Sequence, residues 1–313
     1  MTLDFWRICI SNFALYAAVW TLLPILPAES YLMGLSREDV TASLLLFTTA
    51  MIGVGPLHAY LGDTFKRKSV LMLSTCTAAI CMGIIYFANA PWQILTLMAL
   101  AGASFGIATT AGITIAIDIT LSQRRSAGNR MYAFSGTLGM LAGICVLSPL
   151  YLVTGFDNLL MIACILMAVS LLADAGLYVA FRAPVGVGIF NIDRFFLPRA
   201  WMPAVNVLLL AFGTGLLMSV LPPYLYIRIG AMVMLTILSV PLTRMFVKLS
   251  HHCQRGTANT TLQLATQSGL LSGLAGCEWI PDNGPWGIVI ILASMLLFVS
   301  VTWGYFKRKR VRV

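Results

Sequence analysis

Apolar residues in this chain neither alternate nor recur on one face of short helices. They run on for twenty or more positions at a time, separated by short polar stretches. A hydrocarbon layer about 30 Å thick is crossed by roughly 20 apolar residues of helix. Ten segments meet that length: residues 8–28, 40–61, 69–89, 92–117, 131–153, 159–181, 200–220, 229–248, 257–279 and 286–306. In lipid every backbone donor and acceptor must be bonded within the chain, which long single runs achieve as helices. The pattern predicts an all-α integral membrane protein with about ten transmembrane helices. The first run is too long for a signal-peptide core and lacks a clear cleavage site, so it is read as a helix of the mature protein.

Basic residues orient these helices, because those near membrane ends stay on the cytoplasmic side. With the N-terminus inside, eighteen of the twenty Lys and Arg residues fall on one side: Arg7, Lys66, Arg67, Lys68, Arg124, Arg125, Arg130, Arg182, Arg194, Arg199, Arg244, Lys248, Arg255, Lys307, Arg308, Lys309, Arg310 and Arg312. Only Arg37 and Arg228 fall on the other, together with Glu29, Glu38, Asp39, Asp157, Glu278 and Asp282. Both termini are expected in the cytoplasm of a bacterial cell, with the chain in its inner membrane.

Composition narrows the function. A chain 59% hydrophobic and 10% charged has too much apolar surface for one soluble domain, and the lipid bilayer is its first partner. The net charge of +9 is spread in short clusters between apolar runs, unlike the single basic patch of a nucleic-acid binder. None of the seven cysteines forms a CxxC pair, and most sit inside apolar runs as small buried hydrophobes. An ATP-driven pump would need a GxxxxGK[ST] loop, which the sequence lacks. His251, His252 and Cys253 are adjacent rather than spaced along one helical face, so they read as loop residues and no metal site is expected. Neither an enzyme nor a cofactor is indicated.

Two cytoplasmic loops resemble one another. Leu121-Ser-Gln-Arg-Arg-Ser-Ala-Gly-Asn129 follows the fourth span and Cys253-Gln-Arg-Gly-Thr-Ala-Asn259 follows the eighth. If they are equivalent parts of two repeated halves, the second half has lost two helices, and the gap falls between Pro222 and Gly230. Losing an even number keeps the inside-outside alternation. A chance match in a true ten-helix protein is the alternative. The expected organisation is a six-helix half over 1–181, a cytoplasmic linker over 182–199 and a half of about four helices over 200–313.

Gly62-Asp-Thr-Phe-Lys-Arg-Lys68, between the second and third spans, resembles the signature of the major facilitator superfamily, an Asp followed by a basic cluster. Thr64 and Lys66 stand where that family usually has Arg and Gly. Phe5-Trp6 through Leu23-Pro24-Ile25-Leu26-Pro27, and Arg255 to Asn259, are similar to its drug- and sugar-efflux-like permeases. The resemblance implies a two-half bundle that moves a small solute by alternating access, with Gly62, Asp63, Arg67 and Lys68 as a conformational switch. It implies a cavity bordered by helices 1, 4 and 7, hence by Asn12, Tyr16, Trp20, Thr110, Thr114 and Asn206. The alternative reading of the cluster is a cytoplasmic anchor. Helix 5 departs from the antiporter-associated pattern, since Ile144 rather than Pro follows Gly143.

Ionisable residues within spans are expensive and usually face protein or water. Asp118 ends the fourth span, and Asp174 lies in the sixth, about 6 Å to the cytoplasmic side of its centre. Either is a candidate for proton coupling, but their position favours pairing with a cytoplasmic Arg; Arg124 and Arg125 are the expected partners of Asp118. Gly102-xxx-Gly106, Gly139-xxx-Gly143 and Gly269-xxx-Gly273 predict close helix contacts. The rival to a working transporter is a shortened, non-transporting remnant, and a functional short form is expected to gain from pairing as a homodimer.

Overall fold

The computed structural model describes residues 2–88, 90–180, 186, 188–192, 195–220 and 255–277, with single positions at 233, 235, 242, 246, 249, 293, 297, 300 and 304. The spans predicted over 229–248 and 286–306 lie outside the described residues apart from those positions. The Pro222–Gly230 junction and the terminal basic run also lie outside them. The chain divides into two compact units, Met1–Phe195 and Phe196–Val313.

The first unit is built from helices whose starts and breaks follow from local chemistry. α1 (Leu3–Leu22) opens at Thr2, whose hydroxyl accepts from the Phe5 amide at 3.3 Å. Pro24 lies in the turn that follows it, and Pro27 sits in the first turn of a short α2 (Leu26–Leu32), where an amide would have no helical partner. α3 (Arg37–Gly53) begins with a reciprocal cap between Ser36 and Asp39. Gly55 and Pro56 then break the run with one tight turn, Gly55–Leu57, before α4 (His58–Thr64). α5 (Arg67–Ile84), α6 (Pro91–Asp118) and α7 (Arg125–Ala142) follow. α7 widens into a π turn at Gly143–Leu147 and continues into α8 (Tyr151–Ala175).

Among the described residues six helices are long and apolar enough to cross a membrane. One of them, Ala127–Ala175, has 49 residues, about 73 Å of helix against a 30 Å hydrocarbon core. It is two crossings: Gly155, at φ 78°, breaks it, between the fifth and sixth predicted spans. The sixth helix ends at Ala175 rather than at 181, because Gly176 follows and side chains from α1 and α5 take up its last carbonyls, as detailed below.

α8 shows the inverted amphipathicity expected in lipid. Met161, Ile165 and Leu172 are exposed on its outer side, whereas Ser170 and Asp174 are buried. Leu73, Ile80 and Ile84 give α5 a similar apolar exterior. Such a surface is stable only against hydrocarbon. Cys164, expected as a buried hydrophobe, is exposed there as well, while Cys9, Cys81 and Cys145 are buried. α1 is enclosed from Ala14 to Leu22 and packs on α7 and α8, while Leu3, Trp6, Ile10 and Phe13 are exposed.

The glycine pairs sit at the helix crossings. A Cβ on Gly106 would lie 2.7 Å from the Met51 carbonyl, and one on Gly102 would strike that of Phe47, so α6 meets α3 backbone to backbone. Gly139 faces the Phe13 carbonyl and Gly143 that of Ala17 in the same way, joining α7 to α1. The second unit repeats the device between α9 (Trp201–Val220) and α10 (Arg255–Cys277). Gly269 faces the Leu208 carbonyl and Gly273 that of Phe212. This unit has its own core, in which Leu197, Val207, Leu242, Phe246, Ala258 and Leu262 cluster, and the Leu197 amide donates to Thr261 Oγ1 at 2.9 Å.

Candidate functional site

The ends of α1, α5, α6 and α8 converge at one end of the first unit, and polar side chains tie them. Asp4 and Arg7 lie in the first turns of α1, three apart and therefore on one face; the guanidinium donates to Asp4 Oδ1 at 3.1 Å. Arg7 also donates to the Gly176 carbonyl at 2.6 Å. Lys68, in the first turn of α5, donates to the carbonyls of Ala175 at 2.7 Å and Leu177 at 3.0 Å. Two cations thus satisfy the orphan carbonyls at the α8 C-terminus and complement its negative dipole end.

Arg67, next to Lys68, points to another helix. It forms an ion pair with Asp118 at the end of α6, and its Nε donates to the Gly62 carbonyl at 3.3 Å. The expected pairing of Asp118 with Arg124 or Arg125 is therefore corrected. Those two arginines are exposed at the start of α7, while the turn of α5 brings Arg67 to Asp118 from 51 positions away. Asp63 Oδ2 accepts from the Gly186 amide at 2.8 Å. Of the four switch residues, Gly62, Asp63, Arg67 and Lys68, each contacts a partner outside its own helical turn. The loop is a joint where α4, α5, α6, α8 and residue 186 meet.

Further along the unit lies a set of buried polar groups. Asn12 donates from Nδ2 to the Tyr132 carbonyl and to Ser135 Oγ, both at 3.0 Å, and its Oδ1 has no partner. Tyr16, one turn on, packs edge-on against Phe105 with centroids 5.2 Å apart. Trp20 is fully buried and its Nε1 has no hydrogen-bond partner. The three share one face of α1, which is turned into the protein. Thr110 and Thr114 on α6 bond back to the carbonyls of Gly106 and Thr110, each at 2.9 Å. Asn206, in the second unit, is fully buried with neither amide atom hydrogen-bonded.

Asp174 is fully buried, with the Ser11 hydroxyl beside its carboxylate but no hydrogen bond within 3.5 Å. Among the described residues no Arg pairs with it. The polar groups around it are Ser11, Lys68 and Tyr132. Ser11 and Ser170 hold each other's hydroxyls at 3.0 Å, linking α1 to α8 one turn away. This serine pair, and the role of Arg7, were missed by sequence reasoning. A small polar residue in an apolar run is the only signal either serine gives, and many such residues merely bond back to their own helix. Among the described residues no three His, Cys, Asp or Glu side chains form a metal-binding group.

A family model described as Major Facilitator Superfamily matches residues 8–188, more than half of the chain. The chain belongs to the Major Facilitator Superfamily. Solved structures agree on the fold of this facilitator. The nucleoside transporter NupG, as a single-site variant, superposes with a TM-score of 0.64 at 12% identity, covering 96% of this chain and 99% of that one. The unaltered NupG gives 0.62 at 12% identity, covering 97% and 99%. The human organic anion transporter MFSD10 gives 0.58 at 15% identity, covering 96% and 100%. No curated protein sequence matches the chain. The facilitator is thus an integral membrane protein of a transport family, with lipid and a small-molecule substrate as its partners.

Halves of this family repeat about an axis along the membrane normal, and the facilitator's two glycine contacts carry that repeat in register. In each unit two glycines four apart meet carbonyls four apart, Phe13 and Ala17 in one, Leu208 and Phe212 in the other. A buried Asn stands ten residues before the first glycine of each pair, Asn129 and Asn259. α9 and α10 therefore meet in the same pattern as α1 and α7. Phe13 and Gly139 lie 126 positions apart but Leu208 and Gly269 only 61, so the second unit is 65 residues shorter over this stretch.

Proposed function

We propose that this facilitator is a secondary active transporter that carries a small solute across the bacterial inner membrane by alternating access, with both termini in the cytoplasm. The observation that carries the reading is the joint around residues 62–68. Asp63, Arg67 and Lys68 make three separate contacts to three elements, the form a switch needs if making and breaking polar contacts is to bias two arrangements. The basic residues gathered at that end support its cytoplasmic side. Asn12, Tyr16, Trp20, Thr110, Thr114 and Asn206 line the solute path in this reading. The unsatisfied atoms of Asn12, Trp20 and Asn206 are donors and acceptors available to a polar solute. Asp174, buried with no ion pair among the described residues, is the candidate proton carrier ahead of Asp118, whose carboxylate is held by Arg67.

The halves span 1–181 and 200–313 around a linker at 182–199, and the 65-residue shortfall supports loss of two helices near Pro222–Gly230. A homodimer would cover the flank this loss leaves. Efflux substrates and sugars remain the first solutes to try, with nucleosides and organic anions added because transporters of both share the fold.

The test is reconstitution of the full chain in proteoliposomes with this panel, with and without an imposed pH gradient. Gradient-driven flux that Asp63→Asn abolishes supports the switch, and loss of the pH dependence in Asp174→Asn supports the carrier. No flux for any solute, while a chain with two helices inserted after Pro222 transports, would identify a remnant.

A further inference from the structure

Three residues beyond α8, Gly186, Asn191 and Phe195, lie against the end of the second membrane helix. The Gly186 amide donates to Asp63 Oδ2 at 2.8 Å, the Asn191 amide donates to the Pro56 carbonyl at 3.1 Å, and the Phe195 ring lies over Gly55 and beside His58, centroids 6.0 Å apart. Each anchor has a local cause. Pro56 has no amide and stops the helix, and the tight turn Gly55–Leu57 leaves a carbonyl that the segment takes up. Gly55 has no side chain, and any Cβ there would overlap the ring of Phe195.

The burial is selective. Ile189, Phe190 and Ile192 on the same segment are exposed, whereas Phe195 is 5% exposed. A turn in which the Phe195 amide donates to the Ile192 carbonyl at 3.0 Å brings the ring back in. An aromatic seated in a glycine notch, a backbone bond to a helix break and an amide on the switch carboxylate form a matched set spread over nine positions, Gly55 to Asp63.

We propose that Gly186, Asn191 and Phe195 form a latch that clasps the break between α3 and α4 and holds Asp63, and that its release is a step in the transport cycle. Release takes one donor from the carboxylate and loosens the short helix α4, which carries the switch loop, so the loop moves only when the strap does. The existence of the latch is independent of transport; its place in the cycle rests on the transport reading above.

Hydrogen–deuterium exchange on the full chain in nanodiscs tests the clasp. The amides of Gly186 and Asn191 are expected to exchange at least roughly tenfold more slowly than in a free peptide of residues 182–199, as two backbone bonds and a buried ring imply. Phe195→Ala and Asp63→Ala should each bring them to within about threefold of the peptide, and Phe195→Leu should restore most of the protection. Exchange in the native chain at the peptide rate overturns the latch, as does protection unchanged in both variants. Should Phe195→Ala fail to insert, Asp63→Ala still decides. In proteoliposomes, Phe195→Ala is expected to change flux at least about twofold; a loosened strap with unchanged flux would remove the latch from the cycle. If the native chain carries no solute, the transport reading fails while the exchange result still judges the clasp.

Discussion

Asn206 is the residue whose environment most needs a function to explain it. A buried amide without partners costs about 1–3 kcal/mol, and this one lies fully buried on α9 with both amide atoms unmet among the described residues. Asn206→Leu should therefore leave thermal stability in detergent unchanged or raised by about 1 kcal/mol, while lowering transport of a polar solute; a stability loss with normal transport would make Asn206 structural. The Arg67–Asp118 pair is the opposite case, with side chains 22% and 12% exposed. Arg67→Ala and Asp118→Ala should each destabilise the protein by about 1–3 kcal/mol, and together by clearly less than their sum. A double-mutant cycle of melting temperatures measures that coupling. The sequence offered Arg124 and Arg125 as partners because they are near along the chain. The true partner is near only after α5 and α6 pack antiparallel, and contacts between helices are what one-dimensional spacing does not contain.

Elements were more legible than contacts. An apolar run of twenty residues has one solution in lipid, so each span predicted within the described region coincides with a helix to within a few residues at most ends. The breaks were less legible: Gly55-Pro56 fell inside one predicted span, and the helix that was read to 181 stops at Ala175. Its stop is set by Arg7 and Lys68 arriving from other helices, again a tertiary cause. Glycine pairs were readable as contacts but not their partners. Their geometry gives a graded prediction. A methyl on Gly143 would lie 2.8 Å from the Ala17 carbonyl and one on Gly273 2.9 Å from the Leu216 amide, whereas one on Gly53 meets nothing within 4 Å. Gly143→Ala and Gly273→Ala should each cost about 1–3 kcal/mol because backbone must move. Gly53→Ala should be neutral or gain about 0.5–1 kcal/mol through helix propensity. Thermal unfolding followed by size-exclusion fluorescence ranks the three, and equal losses would mean that the crossings are loose.

At the scale of the whole molecule the repeat in register has a physical consequence. α9 and α10 make the same glycine-to-carbonyl contact as α1 and α7, across an interval 65 residues shorter. In the first unit the 126-residue interval is filled by α3, α5 and α6, and α6 packs against both α3 and α5. A unit 65 residues shorter has about two spans fewer with which to shield its central helices from lipid. Lipid tolerates an apolar flank but packs against it less densely than protein does. A second copy of the chain would cover it more closely. The facilitator is therefore expected to be a dimer at low protein-to-lipid ratio, joined through its second half. Native mass spectrometry from nanodiscs should show two chains, and inserting two apolar spans after Pro222 should return it to one. A native chain that transports while strictly monomeric in both detergent and liposomes would mean that the shortened half shields its central helices unaided.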